Sequence, residues 1–169
     1  MKDMSWKKRI VSKINSNFQE YKGPIEIERI QSIAVIGGSE DIVSAEEVVD
    51  SLSKEFGVSK NSIKVMVYSD VKSVKNQVSF GPEDFSIFGK IKSSDLEEFT
   101  MEKVDLLINY QRLANVYGNR VNLLSRASFK AGFESSELKN LNFELKGGEL
   151  SNEVFDKELV KYLNILNIC

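Results

Sequence analysis

Residues 104–110, VDLLINY, constrain the fold of this chain more than any other stretch. The run is nearly continuous in apolar side chains, which implies a strand buried on both faces. Such strands belong to parallel sheets with helices packed on each side.

The flanking sequence supplies the helices. Trp6, Ile10, Ile14 and Phe18 recur every four residues, joined by Val11 and Tyr21, and predict an amphipathic helix over 4–21 that "KGP" at 22–24 ends. A first strand follows at 31–36. Ser44 and Glu47 then form a capping box for a helix with Val48, Leu52 and Phe56 on one face, and Gly57 suits its C-terminal stop. Residues 62–69 read as a β-branched strand with Ile63, Val65 and Val67 on one face. Residues 70–92 are irregular, with a short strand near 77–80. Ser94 and Glu97 form a second capping box ahead of Leu96 and Phe99. After VDLLINY, a helix carries Leu113, Tyr117, Val121 and Leu124. A strand at 128–133 and an edge strand at 142–147 precede a last helix, capped by Ser151 and bearing Phe155, Leu159, Tyr162, Leu163 and Leu166.

Alternating strands and helices predict an α/β fold, a single three-layer Rossmann-like domain with a mostly parallel sheet of about five strands. Residues 1–24 form a basic amphipathic helix of that same domain, and residues 25–169 form its α/β body.

Composition removes several chemistries. With no histidine among 169 residues, there is no Ser-His or Cys-His pair, no histidine base and no histidine metal ligand. One cysteine, Cys169, admits neither an internal disulfide nor a cysteine-built zinc site. No catalytic residue, metal set or cofactor is assigned. Asp70 and Asp84 lack D-x-D spacing and read as caps or turn residues. No apolar run approaches the ~20 residues of a membrane span. The first 18 residues lack a signal-peptide core, so the expected location is cytoplasmic, with a membrane surface as the alternative.

In an open α/β sheet, ligands bind beyond the carboxyl ends of the strands. Those ends offer Gly37, Gly38 and Ser39 after the first strand, and Ser69 and Asp70 after the second. Asn109, Tyr110 and Gln111 follow the central one. The stretch IAVIGGSEDI invites comparison with a phosphate cradle, but it has neither three spaced glycines nor a lysine after the second glycine. Glu40, Asp41, Glu46 and Glu47 also surround the next helix N-terminus, where a phosphate needs bare amides and positive potential. The glycines are therefore expected to form a tight turn. Arg120, Arg126 and Lys130 read as a solvated face. Phe80, Phe85, Phe88 and Phe99 read as anchors holding a long loop to the sheet.

Charge is uneven. Residues 1–24 hold six cations against two anions, whereas the whole chain carries −2. Lys7, Lys8, Arg9 and Lys13 of this arm are the candidate contacts for an acidic protein partner or an anionic surface. A self-complementary arm and body would allow a homodimer. No specific nucleic-acid binding is predicted.

The stretches EDFSIFGKIKSSDLEEFTMEKVDLLINY and LSRASFKAGF resemble a family of small uncharacterised bacterial proteins, a domain of unknown function. The match rests on Asp84, Phe85, Phe88, Gly89, Lys90, Lys92 and Ser93, and on Ala131 and Gly132 in FKAGF. Ile91 stands where that family usually has proline, and Asn109 where it often has aspartate. The resemblance spans roughly 5–166 and implies the α/β fold but no activity. Residues 104–133 are also similar to the acceptor half of heptosyltransferase-type glycosyltransferases. Those enzymes need a second nucleotide-sugar domain, for which 169 residues leave no room.

The function expected first is a non-catalytic interaction or adaptor module that uses the basic helix. The alternative is a small-molecule or nucleotide-binding domain, glycosyltransferase-like in architecture, that uses the strand-end crevice. The basic helix is expected to pack its Trp6, Ile10, Ile14 and Phe18 stripe on the body.

Overall fold

A computed structural model describes residues 5–19, 25–70, 78–113, 115–135, 137–138 and 140–169. Tyr21 and the predicted stop at 22–24 lie outside them. Among these residues the strands are β1 (Ile33–Gly38), β2 (Ile63–Tyr68), β3 (Ser79–Phe80), β4 (Leu106–Asn109), β5 (Phe129–Phe133) and β6 (Phe143–Leu145). They form one six-stranded sheet in the order β3-β2-β1-β4-β5-β6, with every pair parallel. This is the doubly wound Rossmann order. The sixth strand beyond the expected five comes from short edges, since β3 pairs through only two residues and β6 through three.

Burial explains the sheet. All residues of β1, β4 and β5 are buried, as strands covered on both faces must be. Side chains alternate between two cores. On one face Ile33, Val35, Val67, Leu106 and Ile108 meet Leu52 and Phe56 of α2 (Ala45–Phe56) and Phe155, Leu159 and Leu163 of α5 (Asn152–Ile165). On the other, Ala34, Ile36, Met66 and Leu107 meet α1 (Trp6–Ser16), α3 (Ser94–Met101) and α4 (Val116–Leu124) through Val11, Leu96, Phe99, Tyr117 and Val121.

Several helix boundaries follow their caps. Ser44 Oγ accepts from the Glu47 N–H at 3.3 Å, Ser151 Oγ accepts from Val154, and Gly57 closes α2 at φ 67°. Ser93 rather than Ser94 caps α3, by accepting from Leu96. Leu113 precedes α4 and is 72% exposed, because Asn115 accepts from both the Tyr117 and Gly118 N–H groups and starts the helix there.

Helix α1 packs against α4 as expected, with Val11 of the stripe at the centre, Ile10, Ile14 and Phe18 half-buried, and Trp6 alone turned out. Val11 is fully buried while Trp6 is 62% exposed. The helix is turned so that Lys7, Val11 and Asn15 face inward. Lys7 Nζ donates to the Pro82 and Phe85 carbonyls, and Asn15 donates to the Val116 carbonyl at 2.9 Å. Gly89 admits this contact: its φ is 71°, and a Cβ there would meet the Arg120 side chain at 3.3 Å.

Other expectations are corrected too. Gly37 and Gly38 are the last two strand residues, and the turn lies at 39–41, closed by Asp41 and Ile42 N–H groups on the Gly38 carbonyl, each at 3.0 Å. A Cβ on Gly37 would come within 2.8 Å of Ile42, so close packing explains that glycine. Arg120 and Lys130 are buried, not solvated, because their donors reach the carbonyls of Gly89 and Asn122. Phe80, Phe85 and Phe99 are buried as loop anchors, while Phe88 is exposed. No helix among the described residues is long and apolar enough to cross a membrane.

Candidate functional site

Strand order reverses between β1 and β4. Connections from β1 run one way to β2, and those from β4 run the other way to β5, so the chain parts over their carboxyl ends. A cleft of about 390 Å³ lies there. The end of β1 contributes Gly38, Ser39, Glu40 and Asp41, and the end of β2 contributes Tyr68, Ser69 and Asp70. The segment after β4 adds Gln111, Leu113 and Asn115, and α1 adds Lys8.

Five of the eight crevice residues expected from sequence meet in this cleft: Gly38, Ser39, Ser69, Asp70 and Gln111. Gly37, Asn109 and Tyr110 do not. Gly37 lies beneath Ile42, and Asn109 is wholly buried. Asn109 Oδ1 accepts from the Gln111 N–H at 3.0 Å, a turn-closing role inside the core. Tyr110 points to the opposite face and donates to Asp156.

The β1 wall is carboxylate. Asp41 Oδ2 accepts from the Gly38 N–H at 3.0 Å, and Asp41 Oδ1 pairs with Arg112 at 3.2 Å. Burial raises the Asp41 pKa, with the Gly38 and Arg112 contacts opposing that rise. Arg112 in turn donates to the Gly148 and Leu150 carbonyls and to Asn152, and its guanidinium lies 4.4 Å from the Phe133 ring centre. Glu40 folds over Gly38 so closely that a Cβ there would stand 2.6 Å from Glu40 Oε1.

The β2 wall centres on a hydroxyl. Tyr68 Oη donates to Asp70 Oδ1 at 2.5 Å and also engages Asn115. Burial, and then the Asp70 carboxylate, push the phenol pKa up, so Tyr68 stays protonated and serves as a donor. Its ring lies parallel to that of Tyr117, with centroids 6.3 Å apart.

Gln111 stands apart. It is 5% exposed, yet neither its Oε1 nor its Nε2 has a hydrogen-bond partner among the described residues. The carboxamide lies against the first turn of α4, where Gly118 makes room: a Cβ at 118 would come 1.7 Å from Nε2.

The basic helix is divided. Lys7 is engaged by carbonyls and lies 5.9 Å from the Tyr117 ring centre, and Lys8 lines the cleft. Arg9 and Lys13 are exposed. Sequence reasoning missed Tyr68 and Asn115. Asn115 carried the one usable signal, a capping residue directly before the α4 sequence.

No curated protein and no solved structure matches the chain. Residues 2–166 match the family described as "Family of unknown function (DUF6913)", so the chain belongs to that family.

Proposed function

We propose that this protein is a binding domain for a small polar molecule, held in the cleft over the carboxyl ends of β1, β2 and β4. The observation that carries this reading is the Gln111 carboxamide, buried at the cleft with both polar atoms unpartnered among the described residues. A buried unsatisfied polar group costs about 1–3 kcal/mol, and proteins rarely keep one without a use. The position at the reversal of strand order and a size within the ordinary range of ligand pockets support the same reading. The cleft residues bind and orient, and no catalytic role is assigned to them.

The reading as an interaction module draws on less. With Lys7 engaged by carbonyls and Lys8 at the cleft, its remaining support is the exposed Trp6, Arg9 and Lys13 on the outer side of α1.

Thermal-shift screening against sugars, nucleosides, nucleotides and amino acids tests the proposal. A ligand at 100 times its Kd raises stability by about 2.7 kcal/mol. The expected result is a shift for one class that Gln111→Leu abolishes. No shift for any class, or an equal shift in Gln111→Leu, would sink the proposal.

A further inference from the structure

We infer that the cleft takes an uncharged, hydroxyl-rich ligand, a sugar or the ribose of a nucleoside, and discriminates against its phosphate ester. This rests on the cleft being a ligand site.

The positions a phosphate would need are already filled by the protein. In a strand-turn-helix unit, the anion sits on free amides at the strand end and the helix start. Here the Gly38 N–H belongs to Asp41, whose carboxylate is held by Arg112. Glu40 covers the approach to the Gly38 Cα. Ser44 caps α2, which also carries Glu46 and Glu47 in its first turn. The Tyr117 and Gly118 amides at the start of α4 already donate to Asn115. Among the described residues, Glu40, Asp41 and Asp70 set three carboxylates along the cleft against one lining cation, Lys8. A phosphate dianion would enter a field of its own sign.

The same groups suit hydroxyls. A carboxylate has about four acceptor sites, so Asp70, already accepting from Tyr68, retains capacity for an adjacent pair of O–H donors. Gln111 lines the cleft, and a turn of its enclosed carboxamide away from α4 would bring one acceptor and two donors to a ring hydroxyl and its neighbour. The apolar cover is slight. Leu113 lines the cleft, and the Tyr68 ring, which also lines it, lies parallel to that of Tyr117. The grip therefore falls on the sugar.

The test is an amide NMR titration of the whole chain. Glucose, ribose and adenosine are compared with glucose 6-phosphate, ribose 5-phosphate and AMP, with glycine as a zwitterion. The expected result is saturable shifts of the Gly38, Ser39 and Ser69 amides with a neutral polyol. Its phosphate ester should bind at least about tenfold more weakly, given like charges a few ångströms apart. Asp70→Asn should weaken the polyol and narrow that gap. Gly118→Ala should keep a folded spectrum and lose binding, because the new methyl evicts the Gln111 amide. An ester that binds as well as its parent, or shifts with glycine alone, would overturn the inference while leaving the cleft a ligand site; full binding by Gly118→Ala would take Gln111 out of the site and remove the cleft reading too. No shift with any compound would remove the cleft reading itself, and the inference with it.

Discussion

The Tyr110 phenol donates to Asp156 Oδ1 at 2.6 Å, linking the end of β4 to α5 through a core in which both residues are buried. Burial pushes the Asp156 pKa up to about 7; the Tyr110 bond opposes this, and Glu55 and Glu153 add to it. Tyr110 is itself held well above its ordinary value by burial and by the same carboxylate.

Stability should therefore depend on pH through Asp156. The unfolded carboxyl titrates near 3.8 and the folded one near 7, so between those values the folded state holds the extra proton. Its contribution is full below about pH 4 and is lost as the pH rises through 7. Asp156→Asn keeps an acceptor for Tyr110 without titrating. At pH 8 it should exceed the native chain in stability by about 2–4 kcal/mol, and at pH 5 the difference should narrow. Urea unfolding at both values checks this; parallel pH profiles for the two chains would refute it.

Leu107→Ala should cost about 2–5 kcal/mol, because Leu107 is wholly enclosed in β4. Asn109→Ala should not be silent, as a crevice residue would be. It strips the buried Gln111 N–H of its acceptor and should cost about 1–3 kcal/mol. Urea midpoints of the two variants measure both losses. An Asn109→Ala chain as stable as the parent would return that residue to the crevice.

Arg112→Lys should loosen the segment after β6. One guanidinium serves Gly148, Leu150, Asn152, Tyr110 and Asp41, a spread that a single ammonium cannot span. The expected cost is about 1–3 kcal/mol. Hydrogen exchange should quicken over residues 147–152 and stay unchanged in β1. Unaltered exchange there would show that the fork is dispensable.

Trp6 is the only tryptophan, so fluorescence reports α1 without interference. At 62% exposure its emission should be of the hydrated type and open to acrylamide quenching. A blue-shifted, protected spectrum would mean that the helix seats on Trp6 rather than on Val11.

Local chemistry made much of the architecture readable. The apolar run of β4, the hydroxyls of Ser44 and Ser151, and the left-handed Gly57 each act over a few residues. What stayed hidden depends on distant partners. A hydrophobic wheel turns α1 toward Trp6, but Lys7 and Asn15 find carbonyls on other elements and rotate the docked face. Arg120 and Lys130 look like surface residues until Gly89 and Asn122 accept from them. At the site, strand ends located the cleft, yet they did not reveal which residues turn into it. Asn109 and Gln111 are two positions apart, and only the second lines it. Nor does the letter Q show that the Gln111 amide is buried with no partner among the described residues.

The seating of α1 also orders events during synthesis. Asn15 and its acceptor Val116 are 101 positions apart, and Lys7 reaches 75 and 78 positions ahead. A ribosome adding about 5–20 residues per second needs about 5–20 s to make that stretch. Throughout that interval the helix has emerged but its dock has not, and Val11 has no cover. The nascent chain thus carries this basic amphipathic segment with Val11 uncovered, and its docking must wait for α4.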